Sequence, residues 1–400
     1  MNQVYIADPI RTPIGRYGGA LSSVRPDDLL AIVIRALMDR NPGLDPVSIA
    51  DVVAGAANQS GEDNRNVARM ALLLAGLPAS VPGTTVNRLC ASGLQAIMDG
   101  TRLLYHGDGD VVIACGVESM SRAPYVMAKG TEPFTRNPQI YDTTLGWRFL
   151  NARLSALYHP YSMGETAENV AKQWKISRDD QDHFALASQE KYAVAEAAGK
   201  WKDEIIPVNL ESGKGKTTLV EKDEHPRQTS LEQLAALKPA FMKDGSVTAG
   251  NSSGINDGAA AAILATEKGM VQNGLKPIAR IVSMAVAGVD PSVMGIGPVP
   301  ATRKALERAG LQMGDIGLVE LNEAFASQSL ACIRELGMDA SIVNVNGGAI
   351  ALGHPLGCSG VRISVTLLHE MQKRNVRYGL ATMCIGVGQG AVVIYEKVFG

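Results

Sequence analysis

Three glycine-rich stretches of this chain carry residues that could do chemistry together. They are Val86-Asn87-Arg88-Leu89-Cys90-Ala91-Ser92-Gly93, Asn346-Gly347-Gly348-Ala349-Ile350-Ala351-Leu352-Gly353-His354-Pro355 and Cys384-Ile385-Gly386. Between them they offer a thiol nucleophile, an imidazole base and a second thiol. A hydrolase has little use for two separate thiols and one histidine. A reaction in which one sulfur carries an acyl group while the other moves a proton on carbon uses all three. Making or breaking a carbon–carbon bond on a thioester is such a reaction.

Each residue has a plainer reading beside the chemical one. Cys90 precedes Leu94, Ile97 and Leu104, apolar residues at helical spacing, which sets it at a helix amino terminus. Free N–H groups and the helix dipole there stabilise a thiolate, so a lowered pKa is expected. A buried structural cysteine is the commoner fate of a lone Cys, and on these residues alone that reading stays open. His354 stands before Pro355, which biases it toward extended backbone, among Gly347, Gly348, Gly353, Gly357 and Gly360. So many glycines favour a histidine held at a turn for use, with a helix beginning near Ser359. Cys384 ends an apolar strand and enters Gly386-Val387-Gly388-Gln389-Gly390. Residues 391–395 read as a second strand, so no helix amino terminus awaits a pyrophosphate. The glycines therefore make a hairpin turn that exposes Cys384 and the Gly386 N–H. Cys115, Cys332 and Cys358 are assigned to packing. In Asn322-Glu323-Ala324-Phe325, the Asn322 amide either holds a water by hydrogen bonds or caps a helix.

The elements that must position these residues repeat. A strand at 4–7, a helix near 27–39, a strand at 51–55, the Cys90 turn with its helix, and a strand at 111–114 make the first set. Residues 278–286, a helix over 300–309, a strand at 317–321, the His354 turn with its helix, and a strand at 379–383 make the second. Strands alternating with helices predict a mostly parallel sheet covered on both faces. Over 121–246 the pattern dissolves into a stretch that holds Trp147, Trp174, Trp201 and two polar runs at 211–216 and 221–228. Its best helices are 164–173 and 179–197. The expected division is 1–120 plus 247–275 as one half, 121–246 as an inserted loop or lid domain, and 276–400 as the other half.

Four hundred residues call for more than one core. The net charge of −2 opposes non-specific nucleic-acid binding, and no apolar run reaches the roughly 18 residues of a membrane span. Five scattered cysteines without a Cys-x-x-Cys pair suit neither a disulfide framework nor a zinc site. The opening residues read as strand rather than secretion signal, and the last carry no peroxisomal or retention address. A reducing cytoplasm is the expected setting. Glycine, at 42 residues, exceeds the usual ~7%.

Taken in order, Asn87-Arg88-Leu89-Cys90, Gly250-Asn251-Ser252-Ser253-Gly254, Asn322-Glu323-Ala324-Phe325, Gly353-His354-Pro355 and Cys384-Ile385-Gly386 make the chain resemble the thiolases end to end. The resemblance implies two similar αβαβαββ halves with an inserted loop domain, assembled as a homotetramer of tight dimers. It implies coenzyme A as co-substrate, with no permanently bound cofactor and no metal. By the same resemblance Cys90 attacks the 3-oxo carbon of a 3-oxoacyl-CoA, His354 accepts its proton, and Cys384 protonates the departing carbanion. His354 and a water on Asn322 would stabilise the thioester oxygen, and the Cys90 and Gly386 N–H groups would form a second oxyanion hole. Ser253, Met163, Met294 and Phe241 would line the pantetheine channel. Arg227 stands one residue out of register with the family's phosphate-binding arginine.

Ser162 departs from the acetoacetyl-CoA enzymes, which have histidine there. With 61–69 and 142–149, the segment 161–169 resembles family members that cleave 3-oxoadipyl-CoA to succinyl-CoA and acetyl-CoA in aromatic-compound breakdown. Arg148 is the expected partner of the distal carboxylate, with Arg136 and Arg153 as alternatives. Rival readings are a general acetyl-CoA acetyltransferase or fatty-acid thiolase, a decarboxylating ketosynthase, and a non-catalytic CoA-binding protein. Asn322 with Cys384 opposes the ketosynthase, which typically has a second histidine in place of the amide.

Overall fold

The structure, a computed structural model, describes residues 2–134, 136–212 and 216–398. Part of the polar run at 211–216 and the final Phe399-Gly400 lie outside the described residues. One ten-stranded sheet organises the molecule. Its longer strands, in chain order, are β1 (Val4–Arg11), β2 (Ile49–Gly55), β3 (Gly83–Val86), β4 (Val111–Ser119) and β5 (Asn256–Thr266). They continue as β6 (Pro277–Gly288), β7 (Leu318–Leu321), β8 (Tyr378–Ile385) and β9 (Gln389–Lys397). In space they run β7-β8-β9-β6-β1-β5-β4-β2-β3, and the short strand Gly15–Arg16 pairs with β5.

The pairing pattern occurs twice. In the first half β1 pairs antiparallel with β5 and β5 with β4, then β4–β2 and β2–β3 are parallel. In the second, β6 pairs antiparallel with β9 and β9 with β8, then β8–β7 is parallel. A parallel bridge from Val343 to Val319 stands where β3 stands in the first half. β1 and β6 join the halves as antiparallel neighbours.

The expectation of a mostly parallel sheet is corrected: six of the sheet's pairings are antiparallel and three are parallel. Helical crossovers account only for the parallel ones. β8 and β9 are joined by a hairpin, and β5 returns from the long insertion to run against both β1 and β4. Alternation along β5 was invisible in the sequence because both of its faces are buried. Ala259, Ala261 and Ile263 face one apolar cluster, while Ala260, Ala262 and Leu264 face another.

That second cluster is the centre of the molecule. It brings strand residues of both halves onto Leu94 and Ile97 of the Cys90 helix (Ser92–His106) and Val361 and Ile363 of the His354 helix (Leu356–Arg374). Outside the half-sheets lie Pro26–Arg40 and Val67–Leu74 on one side, and Pro298–Ala309 and Ala326–Leu336 on the other. The two central helices meet backbone to backbone. A Cβ on Gly93 would lie 2.7 Å from the Gly357 carbonyl, and one on Gly360 would lie 2.0 Å from the Leu94 nitrogen. Gly360 therefore serves close helix packing, and Gly357, where a Cβ would lie 2.4 Å from the Val117 carbonyl of β4, serves the packing of its helix on the sheet rather than the His354 turn. The helix starts at Leu356, before the expected Ser359, with Pro355 in extended backbone as its N-cap residue.

In the insertion, Met163–Gln173 and Arg178–Ala197 begin with capping boxes, Ser162 with Glu165 and Ser177 with Asp180. Buried Arg11 of β1 ties this segment to the sheet, bonding Glu204 at 2.6 Å and Asp223 at 2.7 Å beneath the Trp201 ring. Such a pair is expensive to break from one side. Among the described residues no helix is long and apolar enough to cross a membrane.

Candidate active site

Cys90 lies at the end of a tightly bonded turn. The Ser92 hydroxyl accepts the Arg88 N–H at 2.9 Å and donates to the Leu89 carbonyl at 2.7 Å, and Asn87 accepts the Leu89 N–H at 2.8 Å. The turn holds Leu89 at φ 47°. The Arg88 side chain reaches Gln95 at 2.7 Å and Gln389 at 2.8 Å, pinning the Cys90 turn to the hairpin that follows Cys384. From that hairpin the Gly386 N–H donates to the Cys90 sulfur, as does the N–H of Cys90 itself.

The expected lowering of the Cys90 pKa is not found. Burial pushes the thiol above its ordinary value against those two hydrogen bonds, and the Glu118 carboxylate adds to the rise. Leu89, Met120, Leu356 and Val387 surround the site with apolar surface, and desolvation of a thiolate there outweighs the helix terminus. Cys384 is corrected too. Rather than exposed by its turn, it is 1% exposed, because Met163, Met294, Ala324 and Phe325 close over it. Burial, then the neighbouring Cys90 sulfur, raises its pKa well above the ordinary thiol value.

His354 is buried, and burial followed by the charge of Arg362 pushes its pKa down to about 3. Its backbone N–H donates to Asn256 at 2.9 Å. Its Nδ1 lies 2.6 Å from the Ser359 hydroxyl, whose own proton has the Pro355 carbonyl at 2.8 Å as acceptor. A hydroxyl has one proton, so Ser359 accepts from Nδ1–H and the lone pair is left on Nε2. That tautomer is assigned from the hydrogen-bond network. At rest the pair is therefore a neutral thiol and a neutral imidazole.

Asn322 is fully buried, with Nδ2 3.4 Å from each ring nitrogen of His354 and Oδ1 without a protein partner. It does not cap a helix. The next helix starts at Ala326 with Phe325 as its N-cap residue. Glu323 beside it accepts from Ser188 at 2.7 Å, Asn344 at 2.8 Å and the Ile350 N–H at 3.1 Å, tying the His354 loop to the Asn322 segment. A Cβ on Gly348 would overlap that carboxylate at 2.2 Å. Ser359, Asn256, Glu323 and Glu118 escaped the sequence reading. None of them stands at a spacing from Cys90 or His354 that marks a partner.

A cavity of about 400 Å³ opens at Cys90. Gly386, Val387, Met163, Ser162, Trp147 and Arg148 line it, with Glu118 at its base. The Glu118 carboxylate accepts the N–H groups of Ala57, Asn58 and Gly357, and burial pushes its pKa up to about 7. Of the three candidate arginines Arg148 lines this cavity, whereas Arg136 and Arg153 are exposed away from it. Among the described residues no carboxylate pairs with Arg148.

The other expected residues fall around the second thiol. Met294 is buried against Cys384. Phe241 meets Phe325 edge-on at 6.1 Å and occupies the space that a side chain on Gly164 would need. Ser253 donates its N–H to the Ala324 carbonyl at 3.0 Å, laying the 250–254 loop along the Asn322 segment. Arg227 bonds the Ala249 carbonyl at 2.7 Å, beside a separate depression with Gln189 and Tyr192, and does not reach the Cys90 cavity.

A neutral resting pair predicts how Cys90 titrates. Alkylation of Cys90 by iodoacetamide should rise about tenfold per pH unit between pH 6 and 8, following the thiolate fraction. CoA should slow it. A rate already level at pH 7 would mean a resting thiolate and overturn the neutral pair.

A half-buried thiol opening onto a cavity, a buried second thiol and one imidazole, set between duplicated half-sheets, define a class, and the chain belongs to the thiolase family. It matches the thiolase N-terminal domain over residues 4–268 and the thiolase C-terminal domain over 275–397. It is similar to the beta-ketoadipyl-CoA thiolase of Escherichia coli, 59% identical with all of both chains covered. It is also similar to that of Pseudomonas putida, at 56% identity over 401 residues and all of both chains. Among solved structures it resembles the Bacillus anthracis acetyl-CoA acetyltransferase, with a TM-score of 0.93, 43% identity and coverage of 100% of this chain and 99% of that one. The human mitochondrial 3-ketoacyl-CoA thiolase in complex with CoA superposes with a TM-score of 0.91, at 42% identity and coverage of 99% and 98%.

Proposed function

We propose that this protein is an acyltransferase that cleaves 3-oxoadipyl-CoA with CoA, giving succinyl-CoA and acetyl-CoA, in aromatic-compound breakdown. The full-length relatives carry the names of that activity. The observation that carries the reading is the Cys90 cavity, which holds both a sulfur receiving the Gly386 N–H and an arginine, Arg148, that no carboxylate among the described residues pairs with.

In this reading Cys90 attacks the 3-oxo carbon as Nε2 of His354 takes its proton. Tetrahedral collapse breaks the bond between carbons 2 and 3 and leaves a succinyl group on Cys90. The electron pair goes to carbon 2 of acetyl-CoA, where the Cys384 thiol supplies the proton. The proton held by His354 then passes to Cys384. Attack by the thiol of a second CoA, its proton moving through His354 to the leaving Cys90 sulfur, frees succinyl-CoA and restores both thiols. The N–H groups of Cys90 and Gly386 stabilise the oxyanion at the acyl carbon. His354, once protonated, and the Asn322 amide through a water stabilise the thioester enolate. Ser253, Met163, Met294 and Phe241 belong to the CoA side of this reading, while Arg227, bonded elsewhere, is its weakest member.

A cytoplasmic setting agrees with five free cysteines. A dimer of dimers agrees with the surface. Among the described residues, eleven exposed large apolar side chains lie between Tyr125 and Tyr158, a density that marks interaction surfaces.

A carboxylate held by Arg148 is worth about 1.5–3 kcal/mol, roughly a 10- to 150-fold preference over an uncharged chain of equal length. The ratio of kcat/KM for 3-oxoadipyl-CoA to that for 3-oxohexanoyl-CoA is expected in that range. Arg148→Ala should bring it close to one. A native ratio near one would remove the dicarboxylate preference and leave the thiolase reaction standing. A large ratio that survives Arg148→Ala would assign the carboxylate to another residue.

A further inference from the structure

Among the described residues ten non-glycine residues have positive φ, and Val387, at 61°, is the only β-branched one. A side chain branched at Cβ suits that region least, and such strain persists only where the surroundings impose it. The turn itself does not require valine. Gly388, at φ 83°, is required by its neighbours, since a Cβ there would lie 2.3 Å from the Val289 carbonyl. Position 387 would be better served by glycine or asparagine. Core packing does not explain the valine either, because it is 37% exposed.

What Val387 does face is the Cys90 cavity. It follows Gly386, whose N–H points at the Cys90 sulfur. Leu89, the other strained residue on this cavity, has φ 47°, is 37% exposed and precedes Cys90 directly. Its Cδ1 lies 3.2 Å from where a Cβ on Gly386 would stand, so the two turns touch across the sulfur. Each N–H that bonds the sulfur thus has a strained, solvent-facing apolar side chain beside it. Oxyanion stabilisation needs the N–H groups but not these side chains.

We infer that Val387 is a specificity-determining residue, an apolar wall against the carbons of the transferred acyl group beyond its first methyl or methylene. The inference rests on the Cys90 acyl-enzyme reading above. An acetyl group on Cys90 ends at the carbon next to the carbonyl and does not reach the wall. Butyryl and succinyl groups extend two carbons further and lie against it. Strain at position 387 is then retained because a flat glycine turn would leave longer chains loosely held.

The test compares kcat/KM for acetoacetyl-CoA, 3-oxohexanoyl-CoA and 3-oxoadipyl-CoA in the native protein, Val387→Gly and Val387→Asn. Glycine relieves the left-handed strain, and asparagine tolerates it while replacing the methyls with an amide. Both variants should lose about 5- to 20-fold with the two longer substrates, the order expected for one apolar contact. Acetoacetyl-CoA should stay within about twofold of the native value. The thermal midpoint of Val387→Gly should not fall. Equal losses on all three substrates would make Val387 a turn residue only, and no loss on any would leave it without a role in selectivity; either overturns the inference. A native protein that cleaves none of the three would instead count against the acyl-enzyme reading itself.

Discussion

Cys384→Ala should cleave 3-oxoadipyl-CoA on the order of 10²–10⁴-fold more slowly than the native protein, the usual loss on removing a positioned general acid. It should still accept an acyl group on Cys90 from a simple acyl-CoA. The separation follows from where the two sulfurs stand. The Cys90 sulfur receives the Gly386 N–H and opens onto the cavity, whereas Cys384 is buried behind it among Met163, Met294 and Phe325. A thiol whose pKa burial raises well above the ordinary value is protonated at neutral pH. It is therefore ready to give a proton to carbon and poorly suited to attack. Intact-protein mass spectrometry measures the acylation, and loss of 3-oxoacyl-CoA measures the cleavage. Equal loss of both half-reactions would make Cys384 a structural residue or a second nucleophile. An acyl adduct on Cys384 or Cys358 in the native protein would displace Cys90 from its role.

The second large effect is expected at His354. His354→Ala should slow both half-reactions by a similar 10²–10⁴-fold, because both need a base for a thiol that is not ionised at rest. With its pKa pushed down to about 3, the imidazole stays neutral and able to accept a proton throughout pH 5–8. The kcat/KM profile should therefore show no acid limb near pH 6.5, and a limb there would indicate an ordinary solvated histidine. Ser359→Ala removes the acceptor that keeps the proton on Nδ1. It should lower kcat roughly tenfold with little change in KM, while Ser359→Thr, which keeps the hydroxyl, should recover most of the loss. If Ser359→Thr fails along with Ser359→Ala, the serine matters only for packing.

Much of this site was legible because its parts are local. Cys90 at the start of a helix follows from Leu94, Ile97 and Leu104 at helical spacing, and the helix Ser92–His106 is there. The hairpin after Cys384 follows from glycines between two apolar runs, and β8 pairs with β9 as that pattern demands. The insertion helices expected at 164–173 and 179–197 are there as Met163–Gln173 and Arg178–Ala197. β5 could not be read in the same way, since a strand buried on both faces shows no alternation. The glycines near His354 misled for a related reason. Gly360 answers to Leu94 of another helix and Gly357 to Val117 and Gly55 of the sheet, contacts that have no signature in their own neighbourhood.

Sequence alone determined most of the succession of strands and helices, though not β3 or β5, together with the turns that carry Cys90, His354 and Cys384, and the family. All of these depend on short-range periodicity, glycine and proline geometry, and ordered motifs. The tertiary structure decided what depends on distance and burial between remote segments. It set the antiparallel majority in the sheet, because β5 and β9 turn back on their neighbours. It determined that Cys90 rests as a thiol, because desolvation outweighs a helix terminus and two N–H bonds. It placed the lone pair of His354 on Nε2 through Ser359, and it brought Arg148 rather than Arg136 or Arg153 to the cavity. Ionisation, tautomer and reach are properties of surroundings, and a chain acquires its surroundings only when it folds.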